Sequence, residues 1–250
     1  GRFQKSPDGQ LLEPVKRFRE ILRTHDIEMF FQPIVYLDSG ETFGYEALLR
    51  GPAGTYFESP VILFGMARRF DMEPELDLLC LQELQNAAGK IGGKEKIFFN
   101  VSPESFFSPR FQEAWIKASE TLDPARMVLE VTRKRRIREF PNFRSSIDRF
   151  RALGVQVAVD DAKAGTLSLR TILELIPDYI KIDISITRNI HEDLSRQRLF
   201  HQFLSFCRRR KVRLISEGVE RRQERDFLLE HGAELAQGYY YAHPHRMATT

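Results

Sequence analysis

The chain has 250 residues, 42% hydrophobic and 29% charged, with a formal net charge of +3. That length allows one large domain with a real core or two small ones, and so mild a positive balance does not by itself imply a nucleic-acid partner. No apolar run approaches the ~20 residues that span a membrane, no signal peptide is visible, and the two cysteines, Cys80 and Cys207, fit no metal or disulfide pattern, so a reducing, cytoplasmic setting is expected.

Residues 1–12 are polar and turn-rich and read as a linker or remnant; the start at Gly1 reads as a piece of something longer. A first helix is expected from Pro14, with Val15, Phe18 and Leu22 as its apolar stripe. Strands are then predicted at 28–35, 43–49, 96–102, 127–132, 155–160, 178–183, 212–217 and 235–241. Helices are predicted between them at 60–70, 75–90, 104–120, 142–153, 168–176, 193–210 and 221–231. Eight strands alternating with helices over about 225 residues predict a (β/α)8 TIM-type barrel occupying 13–250. A doubly wound open sheet is the alternative, but no Gly-rich phosphate loop follows the first strand.

In such a barrel, reactive groups gather where the strands end. Gln32, Glu46, Asn100, Glu130, Asp160 with Asp161, Lys181, Glu217 and Gln237 fall one strand after another, each amid apolar neighbours. Parallel strands buried on both faces normally read as apolar runs, so these polar residues form a cluster. Paired aspartates can be a solvated strand end; within a ring of carboxylates and an amide they suit Mg²⁺ or Mn²⁺, whereas zinc prefers His and Cys. In YIKID, Lys181 shares a face with Tyr179 and Asp183, which projects it into the barrel mouth. There it can orient a water or a phosphate, or serve as a structural ion pair to Asp160 or Glu130.

YEALLR at 45–50 resembles the signature of EAL domains, bacterial phosphodiesterases that open cyclic di-GMP. FFQPI (30–34), FNVS (99–102), LEVT (129–132), VDD (159–161), YIKID (179–183), SEGVE (216–220) and QGYYYAHP (237–244) match the family in order. The resemblance implies a (β/α)8 barrel, commonly with one antiparallel strand. It implies one metal on Glu46, Asn100, Glu130 and Asp160, and a second on Asp160 and Asp161 with Glu217 nearby. Lys181 would place the attacking water as a catalytic residue, with Glu217 and Glu220 beside it. Gln32, Leu48, Arg50 and Gln237 would contact the dinucleotide. The implied product is linear pGpG, and the implied partners are cyclic di-GMP, a second copy in a homodimer and an upstream sensory or regulatory domain.

The chain departs from the family where DDFGTGYSSL becomes DDAKAGTLSL. Ala162, Lys163, Ala164 and Thr166 replace Phe, Gly, Thr and Tyr, while Gly165, Ser168 and Leu169 survive. Arg133 replaces a Glu and opens the basic run RKRRIR at 133–138, and Gly51 stands where Trp is common. The basic run is a solvated face, a source of positive potential at the mouth, or a nucleic-acid site. The eroded loop favours a second reading, a non-hydrolytic cyclic di-GMP receptor that signals through a partner; the intact ring favours the enzyme.

Overall fold

The computed structural model describes residues 13–88, 91–132, 140–162 and 175–247. The strands are β1 (Glu28–Tyr36), β2 (Thr42–Arg50), β3 (Lys96–Val101), β4 (Met127–Thr132), β5 (Gln156–Ala162), β6 (Tyr179–Ile182), β7 (Arg213–Ser216) and β8 (Leu235–Gln237). They close a barrel in sequence order. The helices are α1 (Glu13–Thr24), α2 (Pro60–Arg69), α3 (Glu73–Ala88), α4 (Pro109–Ala118), α5 (Phe140–Ala152), α6 (Ile184–Thr187), α7 (Leu194–Arg210) and α8 (Arg222–Glu230). All but the last two residues of the expected helix at 168–176, the loop from Lys163 to Leu169, the basic run at 133–138 and residues 1–12 lie outside the described residues. No helix among the described residues is long and apolar enough to cross a membrane.

β1 is the antiparallel strand, paired that way with both β2 and β8. Only residues 37–41 join it to β2, and a parallel pair needs a crossover of about a dozen residues or more. The remaining neighbours are parallel.

Two expected elements are shorter than the periodicity suggests. The predicted strand at 235–241 stops at Gln237. Gly238 lies so close to the Val219 backbone that a Cβ there would come within 2.1 Å of its carbonyl oxygen, and Tyr241 and Ala242 both donate back to the Gly238 carbonyl in a turn. The predicted helix at 104–120 splits into a short 3-10 turn, Ser105–Phe107, and α4. Ser108 accepts from the Phe111 N–H and Pro109 occupies the first turn, so the helix restarts there.

A second core fills the barrel interior below the site. Ile34, Phe98, Val128, Ala158, Tyr179, Ile215 and Leu235 pack into one buried plug. Each stands two positions from a polar residue of the expected site: Gln32, Asn100, Glu130, Asp160, Lys181, Glu217 and Gln237 respectively. Side chains two apart on a strand share a face, so an apolar layer beneath places a polar layer directly above it. In β2 the same offset separates buried Gly44 from Glu46; a Cβ at Gly44 would meet the Lys96 carbonyl at 2.6 Å. Arg213 closes the far end of the plug, 4.2 Å from the Phe43 ring and paired to Glu234 at 2.8 Å. Arg213→Ala should lower stability by about 1–2 kcal/mol, read by urea unfolding, because a half-buried cation–π contact and an ion pair are lost together. An unchanged midpoint would show that the plug holds without it.

Candidate active site

The polar layer converges on Lys181. Its ammonium lies 2.8 Å from Glu130 Oε1, 2.9 Å from Glu217 Oε1 and 3.0 Å from Glu46 Oε2. Lys181 and Glu130 are completely buried. A chain of amides continues the network toward β1. Gln237 Nε2 donates to Glu46 Oε2 at 2.6 Å and to Gln32 Oε1 at 3.1 Å, and Gln32 Nε2 donates to the Ala242 carbonyl at 3.0 Å. From the other side Asn100 Nδ2 donates to Glu46 Oε1 at 3.3 Å.

One ammonium cannot balance three carboxylates, and the ionisations follow from that shortfall. Burial would strip Lys181 of its proton, but the charges of Glu130, Glu217 and Glu46 hold it well above the usual lysine range. Burial also opposes ionisation of Glu46, yet Lys181 and the donors from Gln237 and Asn100 bring it below the ordinary carboxylate value. Burial raises Glu130 well above that value despite Lys181. Glu217 is pushed up to about 8, by burial first and then by Asp160 and Glu46. The ring is thus short of positive charge, and burial works against ionising Glu130 and Glu217 most.

Those same groups fit a hard cation. Glu130 Oε2 is buried with no hydrogen-bond partner among the described residues, and the donor set is made of carboxylate and amide oxygens. Among the described residues no group of three or more His, Cys, Asp and Glu side chains is placed to hold a metal ion; Glu46, Glu130 and Glu217 surround the Lys181 ammonium instead. Asp160 is half-buried beside this ring. It lines a cavity of about 300 Å³ together with Leu48, Asn100, Phe64 and Arg68. The sheet register shifts between Val159 and Ala162, where the paired aspartates fall; the Asp161 side chain lies outside the described residues.

The chain matches the EAL domain over residues 15–244. It belongs to the EAL domain family. Among its relatives is the probable cyclic di-GMP phosphodiesterase PdeG of Escherichia coli (strain K12), 26% identical over 239 residues, covering 92% of this chain and 47% of PdeG. The cyclic di-GMP phosphodiesterase NbdA of Pseudomonas aeruginosa is 26% identical over 242 residues, covering 94% of this chain and 31% of NbdA. This EAL domain therefore spans less than half of the length of either relative. A standalone EAL protein from Vibrio cholerae O395, solved with cyclic di-GMP bound, superposes with a TM-score of 0.77 at 29% identity, over 88% of this chain and 92% of that one. Klebsiella pneumoniae BlrP1, solved with calcium and cyclic di-GMP, superposes with a TM-score of 0.78 at 27% identity, over 90% of this chain and 57% of that one.

Two residues expected at the site sit apart from the Lys181 ring of this EAL domain. Glu220 pairs with Arg188 at 2.5 Å on the rim. Arg50 donates to the Leu49 carbonyl at 3.0 Å, with its guanidinium 5.7 Å from the Phe30 ring. Arg246 approaches the same ring at 5.6 Å, a proximity that reading the sequence missed. His245 exchanges backbone hydrogen bonds with Phe31, which pins the C-terminal segment to β1 and carries Arg246 there. Nothing in the spacing of residues 30, 50 and 246 signals this, because only strand addition brings them together.

Proposed function

We propose that this EAL domain hydrolyses cyclic di-GMP to linear pGpG, with Mg²⁺ or Mn²⁺ held by Glu46, Asn100, Glu130 and Asp160 and a second ion by Asp160, Asp161 and Glu217. The observation that supports it most is the intact polar ring with a buried, charged Lys181 at its centre. Bound there, divalent cations would lower the pKa of a water and stabilise the charge that develops on the phosphodiester. Lys181, fixed by three glutamates, donates hydrogen bonds and so orients the attacking water. Glu217, 2.9 Å from the Lys181 ammonium, would be the carboxylate beside that water. Gln237 and Gln32 fix the rotamer of Glu46. Leu48 and Arg68, which line the cavity, offer the ligand an apolar edge and a positive charge, and Arg50 would add positive charge toward a phosphate. The volume of about 300 Å³ suits one nucleoside end of the ligand.

The second reading is a receptor that binds cyclic di-GMP without cleaving it. The observation in its favour is the altered stretch that begins at Ala162, a small and fully buried residue where the family carries Phe. Turnover with Mn²⁺, with Ca²⁺ and with neither separates the two. The hydrolase should make pGpG with Mn²⁺, and bind the nucleotide with Ca²⁺ while cleaving it at least about a hundredfold more slowly, because the larger ion tolerates looser coordination and orients the water less strictly. Binding in both metals with no pGpG in either would select the receptor. No binding in any condition would sink both readings.

A further inference from the structure

The most deeply buried carboxylate outside the ring is Asp77, on α3 in the outer helical layer, with no exposure at all. One of its oxygens carries three contacts. Oδ2 accepts from the Ser102 N–H at 2.8 Å, the Ser102 hydroxyl at 2.5 Å and the Ser105 hydroxyl at 2.7 Å. Oδ1 is buried with no hydrogen-bond partner among the described residues. A carboxylate placed only to stabilise a helix–loop contact gains most by satisfying both oxygens. Here one oxygen is left without a partner while the other gathers a single short segment.

That segment leads directly from the ring. Ser102 follows the end of β3, two residues after Asn100, and the Ser105 N–H donates to the Ser102 carbonyl at 3.1 Å to open the 3-10 turn. Ser102 lines the same cavity as Asn100 and Asp160. The chain from Asn100 to Ser105 is therefore held at both ends: by Glu46 through the Asn100 amide, and by Asp77 through two serines. Cutting the second hold leaves the end of β3 held through its sheet bonds and the Asn100–Glu46 contact, without the grip on Ser102 and Ser105.

We infer that Asp77 is a positioning residue for the metal site: by gripping Ser102 and Ser105 it fixes the end of β3, so that Asn100 presents its carbonyl oxygen to the ion. This rests on the metal-dependent reading above and adds a residue remote from the ring to it. Burial pushes the Asp77 carboxyl up to about 6 against the pull of the serine donors. At neutral pH it is still the ionised acceptor that three donors require. Partners that orient a metal ligand are commonly worth ten- to a hundredfold in metal affinity.

Calorimetric titration with Mn²⁺ tests this, beside thermal unfolding of the same samples and hydrogen exchange over residues 99–107. Asp77→Ala should weaken Mn²⁺ about tenfold or more and speed exchange in that segment alone. Asp77→Asn keeps an acceptor oxygen for the serines but puts an amide donor where buried Oδ1 has no partner. It should melt lower while holding Mn²⁺ affinity within about threefold of wild type, a split that a purely structural role would not give. Ser105→Ala removes one contact with little risk to folding and should weaken Mn²⁺ by about threefold, which keeps the test decisive if Asp77→Ala fails to fold. Wild-type Mn²⁺ affinity in Asp77→Ala and Ser105→Ala, or equal loss of affinity in Asp77→Asn and Asp77→Ala, would overturn the inference alone. A wild type that takes up no Mn²⁺ would overturn the metal-dependent reading and this inference with it.

Discussion

Lys181→Ala is expected to reduce cyclic di-GMP turnover by about a thousandfold or more at any Mn²⁺ concentration, since a positioned proton-transfer or water-orienting group is worth about 10²–10⁴. Nucleotide binding should persist, because Leu48, Arg50 and the cavity wall are untouched. The same change removes the only cation within 3.0 Å of Glu46, Glu130 and Glu217 among the described residues. Leaving buried carboxylates without their partner costs about 3–5 kcal/mol, so the metal-free variant should unfold far more easily than wild type. Mn²⁺ supplies the missing positive charge. The metal-induced rise in melting temperature should therefore be larger in Lys181→Ala than in wild type. Single-turnover assays at saturating Mn²⁺ and melting curves in chelator and in Mn²⁺ read both effects. If wild type and variant were equally inert while both bound the nucleotide, the hydrolase reading would fall and the receptor reading would stand.

The second large effect concerns the carboxylate buried deepest in the ring. Glu130→Gln should lower Mn²⁺ affinity by at least about a hundredfold, because it removes a charged ligand whose Oε2 is already desolvated without a partner. Turnover at ordinary metal concentrations should vanish with it. In chelator, by contrast, the variant should be as stable as wild type or more so. Burial works against the Glu130 charge in the metal-free protein, so replacing it with a neutral amide removes a desolvation cost.

The same logic gives the pH dependence. A carboxyl whose folded pKa is raised above its unfolded value contributes stability that is present at low pH and lost as pH climbs through the folded pKa. For Glu217 that window runs from its ordinary value of 4.5 to about 8. Metal-free protein should therefore lose stability across that range, while Mn²⁺ uptake, which must displace the proton, should strengthen up to about pH 8 and then level off. Melting curves from pH 6 to 9 with and without Mn²⁺ check this; a metal-induced shift that stays flat across the range would show that Glu217 is not a ligand.

Much of this site can be read without coordinates because strand periodicity is strict. Phe98 and Asn100, Val128 and Glu130, Tyr179 and Lys181, and Leu235 and Gln237 each repeat an apolar–polar pair two residues apart, and a strand has no freedom to put the members of such a pair on different faces. That pattern, with the alternation of helices, determines the barrel and the membership of the polar layer. The direction of β1 is encoded as well. Residues 37–41, with Gly40 at φ 75°, are too short a link for anything but a hairpin, although reading the segments as uniform strand–helix units hides it.

Periodicity assigns a face but not a level or a partner. Which of several carboxylates meets Lys181 depends on how far each strand is offset from the next when the barrel closes, and that offset is set by all the pairings together. So only the tertiary structure decided that Glu46, Glu130 and Glu217 share one ammonium, while Glu220, three residues beyond Glu217, turns outward to Arg188. It also decided that Gly238 ends β8 against Val219, that the C-terminal segment lies on β1 beside Phe30, and that Asp77 reaches from the helical layer to the end of β3. Each of these contacts joins residues far apart in the chain whose meeting depends on the packing of whole elements, and local sequence preference carries no record of that packing.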